Sequence, residues 1–185
     1  MLAAQTRTAD AERGWTTLPP LGEVPDPRLV DGLSFVLGAV GDVPAVWGNG
    51  DDVLWASGEP LLIVAPDGVG KTTLGQRLAL ALLELDRNVL GYPVAPVDGG
   101  VLYIAADRPA QGARSLWRMV GHDTKSHGRL KESLLVWKGP PPFNVVKEPE
   151  RLANWALEVG ASVVILDSLG FIAPELIKDE TGSAL

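Results

Sequence analysis

The chain has 185 residues, a formal net charge of -7 and no cysteine. That length suits one domain with at most an added arm; the absence of thiols excludes disulfides and thiolate metal sites, and the acidic balance argues against non-specific nucleic-acid binding by the whole surface. With 46% hydrophobic and 21% charged residues, no apolar run of membrane-spanning length and no signal-like block at the N-terminus, the composition is that of a folded α/β core, expected to be cytoplasmic and without a membrane partner.

Residues 1–31 hold Pro19, Pro20, Pro25 and Pro27 among small and charged residues and read as an irregular N-terminal arm. An apolar segment follows, Leu33 to Val40. Trp47 and Trp55 then flank the polar turn Gly48 to Asp52. Both indoles are expected to close the edge of the core, because a large ring contributes most when buried; a place for one of them beside a nucleotide base is the alternative.

Leu61, Leu62, Ile63 and Val64 form a branched apolar run that predicts a buried strand, and the spacing of Leu74, Leu78, Ala81, Leu82 and Leu85 predicts a helix over 72–85. Between them lies Ala65-Pro66-Asp67-Gly68-Val69-Gly70-Lys71-Thr72-Thr73. In such a strand-to-helix turn, Gly68 and Gly70 let backbone N–H groups converge on a phosphate, Lys71 reaches the β- and γ-phosphates, and Thr72 offers its hydroxyl to Mg²⁺. The pattern G-x-x-x-x-G-K-[ST] begins with glycine, whereas this chain has Ala65. Alanine penalises a positive φ, so the variant works only if the turn enters without a left-handed residue there. A glycine-containing turn with a solvent-facing lysine is the bland alternative.

Val89 to Gly100 reads as a Pro/Gly-rich connection, Val101 to Ala106 as the second strand, and Pro109 to Val120 as a helix with proline in its first turn. Gly121 to Arg129 reads as a loop, in which His122 and His127 are solvated rather than metal ligands. A third strand is predicted over 134–137, a helix over 148–159 and a fourth strand over 161–166. Alternation of this kind predicts a parallel, three-layer α/β sheet with its ligand outside the carboxyl ends of the strands. Three strand ends then matter: Lys71 and Thr72, Asp107, and Asp167 with Ser168. Asp167 follows four apolar residues and can hold a Mg²⁺-bound water opposite Thr72; a turn cap is its alternative. Asp107 can orient an attacking water or cap the helix after it. Arg108, Arg114 and Arg118 read as a solvated helix face, with phosphate, DNA or a neighbouring subunit as alternatives.

In their order, the segments 65–73, 101–107 and 163–168 resemble the RecA-like ATPases, especially their RepA/RadA-related, helicase-like branch of actinobacteria and their phages. The resemblance runs from about Leu29 to the end. It implies an α/β/α RecA-like P-loop fold with a mostly parallel sheet over residues 32–185. It implies ATP and Mg²⁺ as ligands, with ATP held by Ala65 to Thr73, the metal by Thr72 and Asp167, and Lys71 on the phosphates. Asp107 stands where the family has a water-activating glutamate. The resemblance further implies ATP hydrolysis coupled to DNA replication, recombination or repair, a homo-oligomeric ring or filament, and single-stranded DNA as partner. A nucleotide-binding assembly or regulatory module with little turnover and a small-molecule kinase are the rival functions. The family core continues for several strands beyond Asp167, and Lys178 to Leu185 reads as the opening of another helix, so a C-terminally truncated domain is expected.

Overall fold

The computed structural model of the chain describes residues 30–38 and 44–176. The proline-rich arm and the polar stretch from Lys178 lie outside them. The chain divides into two compact units, Met1–Asp42 and Val43–Leu185. The described part of the first contains helix α1 (Gly32–Gly38), whose residues are exposed, Leu33 and Phe35 at 70% each. Asp31 accepts from the Ser34 hydroxyl at 2.6 Å and from Ser34 N and Leu33 N, both at 3.0 Å, at the start of that helix; the hydroxyl bond first, and then the backbone bonds, hold its carboxyl below its ordinary pKa.

The second unit begins with an antiparallel hairpin, β1 (Ala45–Asn49) and β2 (Asp52–Ala56), in which Trp47 pairs with Trp55. The two indoles behave as expected for a core edge. Trp47 is 5% exposed and donates from Nε1 to Val89 O at 3.0 Å, and Trp55 packs against the same cluster.

Helix α2 (Lys71–Leu82) is shorter at its C-terminus than the apolar spacing suggests. Leu83 is the C-cap, Glu84 takes φ 63, and Glu84 N and Leu85 N bond back to Ala81 O and Leu80 O at 3.0 and 2.9 Å. This pair of bonds is a Schellman ending, so Leu85 reaches the core as the hydrophobic residue after the cap. The supposed connection over 89–100 contains a small hairpin, β3 (Asn88–Val89) with β4 (Tyr92–Pro93).

The parallel sheet has three strands in the order β6-β5-β7: β5 (Gly100–Ala105), β6 (Leu134–Lys138) and β7 (Ala161–Asp167). Register is continuous from Val101↔Leu134 to Ala105↔Lys138 on one side, and Ala105 pairs with Asp167 on the other. Alternate residues of β5 face opposite layers. Val101, Tyr103 and Ala105 join the cluster of Leu78, Ala79, Ala81 and Leu82 from α2, with Leu130 of α4 (Thr124–Ser133) packed against it. Leu102, Ile104 and Ala106 join Ala156 of α5 (Pro149–Glu158) and Ile172 of α6 (Leu169–Ile172). Helices therefore cover both faces of a parallel sheet in a mixed α/β domain, broadly as in a RecA-like P-loop fold, with two antiparallel hairpins beside it. Helix α3 (Pro109–Val120) has the predicted bounds and buries none of its residues.

Two expectations fail. Residues 61–64 belong to no strand among the described residues, and they are not a buried run: Leu61 and Ile63 pack against the core while Leu62 and Val64 are 68% and 80% exposed. Their burial has period two, the mark of a half-buried extended segment, and an all-apolar sequence hides that alternation. The loop over 121–129 is largely helix α4, N-capped by Asp123, which accepts from Lys125 N and Ser126 N at 3.3 and 3.1 Å. The bonds from Ser126 hold the Asp123 carboxyl below its ordinary pKa. His122 and His127 sit around Trp117, with ring centroids 5.0 and 6.0 Å from it. No cluster of three metal-ligating side chains occurs among the described residues.

Candidate functional site

The turn between residues 61–64 and α2 contains two glycines in the left-handed region. Gly68 and Gly70 take φ 80 and 102, whereas Ala65 is not among the non-glycine residues at positive φ, which are Glu84, Leu90 and Arg108. Alanine at the first position of the motif is thus accommodated without left-handed strain. Gly70 is the N-cap of α2 and supplies no side chain, and the first turn has no acidic residue. The N–H groups and positive dipole end of a twelve-residue helix therefore open onto the loop with no carboxylate from the helix's own cap or first turn against them. Pro66, Asp67, Gly68 and Val69 are exposed, Ala65 and Gly70 half-buried, and Thr73 is exposed on the first turn.

Lys71 folds back over this loop. Its ammonium donates to Ala65 O at 2.5 Å and Pro66 O at 2.9 Å, and lies 3.3 Å from Asp67 Oδ1. The cation lies at the rim of the 65–70 loop, held by carbonyls and by an exposed carboxylate.

Thr72 and Asp167 come together. The Thr72 hydroxyl donates to Asp167 Oδ1 at 3.0 Å, from the first turn of α2 to the last residue of β7. A hydroxyl and a carboxylate are hard oxygen donors of the kind Mg²⁺ takes, and Thr72 stands on the first turn of α2, directly after the loop. The residues fit the metal.

Asp167 has a second partner that sequence reasoning missed. Tyr103, 1% exposed, donates its hydroxyl to Asp167 Oδ2 at 2.5 Å. Burial, and then the bond to the Asp167 carboxylate, raise the phenol far above its ordinary pKa, while the neighbouring Gln76 amide acts in the opposite direction. Gln76 is 0% exposed; its Nε2 donates to Gly112 O at 3.0 Å, and its Oε1 has no hydrogen-bond partner among the described residues. Gln76 and Tyr103 line a cavity of about 170 Å³ with Pro109, Gly112 and Lys138. A tyrosine in an otherwise aliphatic strand was the available signal, because a buried phenol needs an acceptor. Gln76 was detectable as a polar residue one turn after Thr72, on the buried side of α2.

Asp107 lies beside this group without joining it. Ala106 N and Asp107 N donate to Asp167 O at 2.7 and 3.4 Å, so the two strand ends are tied through backbone. The Asp107 carboxylate sits 3.3 Å from Arg108 Nε and is half-buried. The capping alternative fails: the N-cap of α3 is Arg108, at φ 48 and ψ 58, and no side chain caps the helix. Arg108, Arg114 and Arg118 are exposed.

No helix among the described residues is long and apolar enough to cross a membrane. No curated protein and no solved structure matches the chain. The AAA domain matches residues 46–183, which include the loop, both strand-end carboxylates and the sheet between them. The chain belongs to the AAA-domain family of P-loop NTPases.

Proposed function

We propose that the protein is a Mg²⁺-dependent ATPase of the RecA-like, RepA/RadA-related kind, which puts ATP hydrolysis to work on DNA. The observation that carries the nucleotide part is the 3.0 Å contact between Thr72 and Asp167 beside an open phosphate loop. In this reading the N–H groups of residues 68–73 hold the β- and γ-phosphates, and Lys71 leaves its carbonyl partners to neutralise them. Thr72 and Asp167 would hold Mg²⁺, which when bound would supply positive charge to offset the negative charge that develops on the phosphate oxygens. Asp107 accepts the proton of the attacking water once its carboxylate turns from Arg108. Action on single-stranded DNA, and a ring or filament in which a neighbour's basic residue completes the site, rest on the resemblance of the motifs to RecA-like ATPases.

The contact between Asp107 and Arg108 supports a second reading, a nucleotide-binding assembly module with little turnover. Phosphate release measured with and without single-stranded DNA, alongside nucleotide affinity and oligomeric state, separates the two. Turnover stimulated by DNA supports the ATPase; tight binding with no cleavage in any assembly state supports the module; no nucleotide binding removes both.

A further inference from the structure

We propose that Tyr103 is a positioning residue that fixes the Asp167 carboxylate, and so sets the Mg²⁺ dependence of nucleotide binding. The inference rests on Thr72 and Asp167 being the metal pair. An aspartate carboxylate turns easily about its last torsion, so a strand end alone does not decide which oxygen faces the phosphate loop. Here each oxygen has its own donor from a different element: Thr72 of α2 on Oδ1 at 3.0 Å, and Tyr103 of β5 on Oδ2 at 2.5 Å.

The two donors differ in how readily they can be exchanged. Thr72 is exposed, whereas Tyr103 is 1% exposed and its ring is fixed in the cluster that includes Leu78 and Leu82. Pairing of Tyr103 with Ile165, two residues before Asp167 on β7, fixes the distance along which the phenol reaches. The buried contact persists while the exposed one is free to change partner. Oδ1 is therefore the oxygen presented to the loop, and Tyr103 is what keeps it there.

The test is a Mg²⁺ titration of fluorescent ATP-analogue binding by wild type, Tyr103→Phe, Asp167→Asn and the double variant, with affinity in EDTA measured for each. In Tyr103→Phe the Mg²⁺ concentration for half-maximal tight binding should rise about tenfold, the scale of one hydrogen bond to a charged group, with EDTA affinity unchanged. In the double variant the tyrosine change should add nothing to Asp167→Asn, because the two act as one unit. An unaltered Mg²⁺ titration in folded Tyr103→Phe overturns the inference, as does a further loss in the double variant. Wild-type binding that ignores Mg²⁺ overturns the metal reading itself, before any substitution is compared. Should Tyr103→Phe not fold, ¹⁹F spectra of fluorotyrosine-labelled protein, with Tyr92→Phe identifying the other tyrosine, supply the readout. The Tyr103 resonance should move when Mg²⁺ is added to the nucleotide-bound protein and should not respond in Asp167→Asn; a resonance indifferent to Mg²⁺ in both overturns the inference.

Discussion

The Thr72 hydroxyl and the Asp167 carboxylate meet at 3.0 Å across ninety-five positions of sequence. Nothing local forces this contact. It exists because β7 runs parallel to β5 and ends level with it, Ala105 opposite Asp167, while α2 packs on the face of the sheet that carries Tyr103. Asp167→Asn keeps the shape and one acceptor oxygen but loses the charge. Its affinity for Mg²⁺-nucleotide should fall about tenfold or more, roughly 1.4 kcal/mol, with little change in EDTA. Equal losses in both conditions would remove Asp167 from the metal site.

Lys71→Ala should cost about a hundredfold in ATP affinity, the scale of charge-assisted bonds to phosphate, with thermal stability nearly unchanged. The fold should tolerate it because the present partners of the ammonium are two carbonyls and an exposed carboxylate at the rim of the loop, outside the core. Titration with a fluorescent analogue and a thermal melt check both halves; a folded variant that binds like wild type refutes the role.

Asp67 gives the opposite sign. Its carboxylate is fully exposed and pairs with Lys71 at 3.3 Å, so it competes with phosphate for the ammonium and adds a negative charge at the loop rim. An ion pair this exposed is weak and readily screened by salt. Asp67→Asn should therefore bind ATP about two- to fivefold more tightly at low salt, and the gain should shrink as salt rises. Weaker binding by the variant would mean that Asp67 assists the nucleotide rather than competing with it.

How much of this was readable beforehand follows from range. The helix over 109–120 and the strands ending near Asp107 and Asp167 are local patterns, and the structure has them with small shifts of boundary; the turn over 65–70 is likewise local, and its Gly68 and Gly70 lie at positive φ just before α2. Residues 61–64 misled because four apolar residues in a row carry no period, so sequence could not show that Leu62 and Val64 are exposed. Helix α4 was hidden by a polar sequence containing Gly128, and its Asp123 cap was the overlooked signal. Tyr103 and Gln76 were missed for another reason: their partners, Asp167 and Gly112, are set by strand register and helix packing, which no window of sequence contains.

Gln76 should report whether its burial is structural. A net hydrogen bond contributes about 0.5–1.5 kcal/mol, while an unsatisfied buried acceptor costs about 1–3 kcal/mol. Gln76 makes the first through Nε2 and carries the second through Oε1. Gln76→Leu removes both, and Gly112 O keeps its place inside α3, so stability should be unchanged or higher by up to about 1 kcal/mol. A urea unfolding curve decides the matter. A loss well beyond 1 kcal/mol would show that the amide links α2, Tyr103 and α3 more strongly than its visible bonds.

Asp107 is where binding and turnover should come apart. Its backbone is tied to Asp167 O, so a substitution should leave the strand ends in place, and its carboxylate does not cap α3, because Arg108 is the N-cap. A cap role therefore cannot account for a kinetic effect. If the carboxylate takes a proton from water, Asp107→Asn should keep ATP and Mg²⁺ affinity within about twofold and slow single-turnover cleavage by about 10²–10⁴. Arg108→Ala should act in the other direction by freeing the carboxylate from its partner at 3.3 Å, and Asp107→Glu should approach or exceed wild type if an aspartate stands slightly far from the water. These rates are to be measured at saturating Mg²⁺ with assembly state followed separately, so that a missing neighbour is not mistaken for a missing base. Active wild type with an equally active Asn variant would take the proton-accepting role away from Asp107.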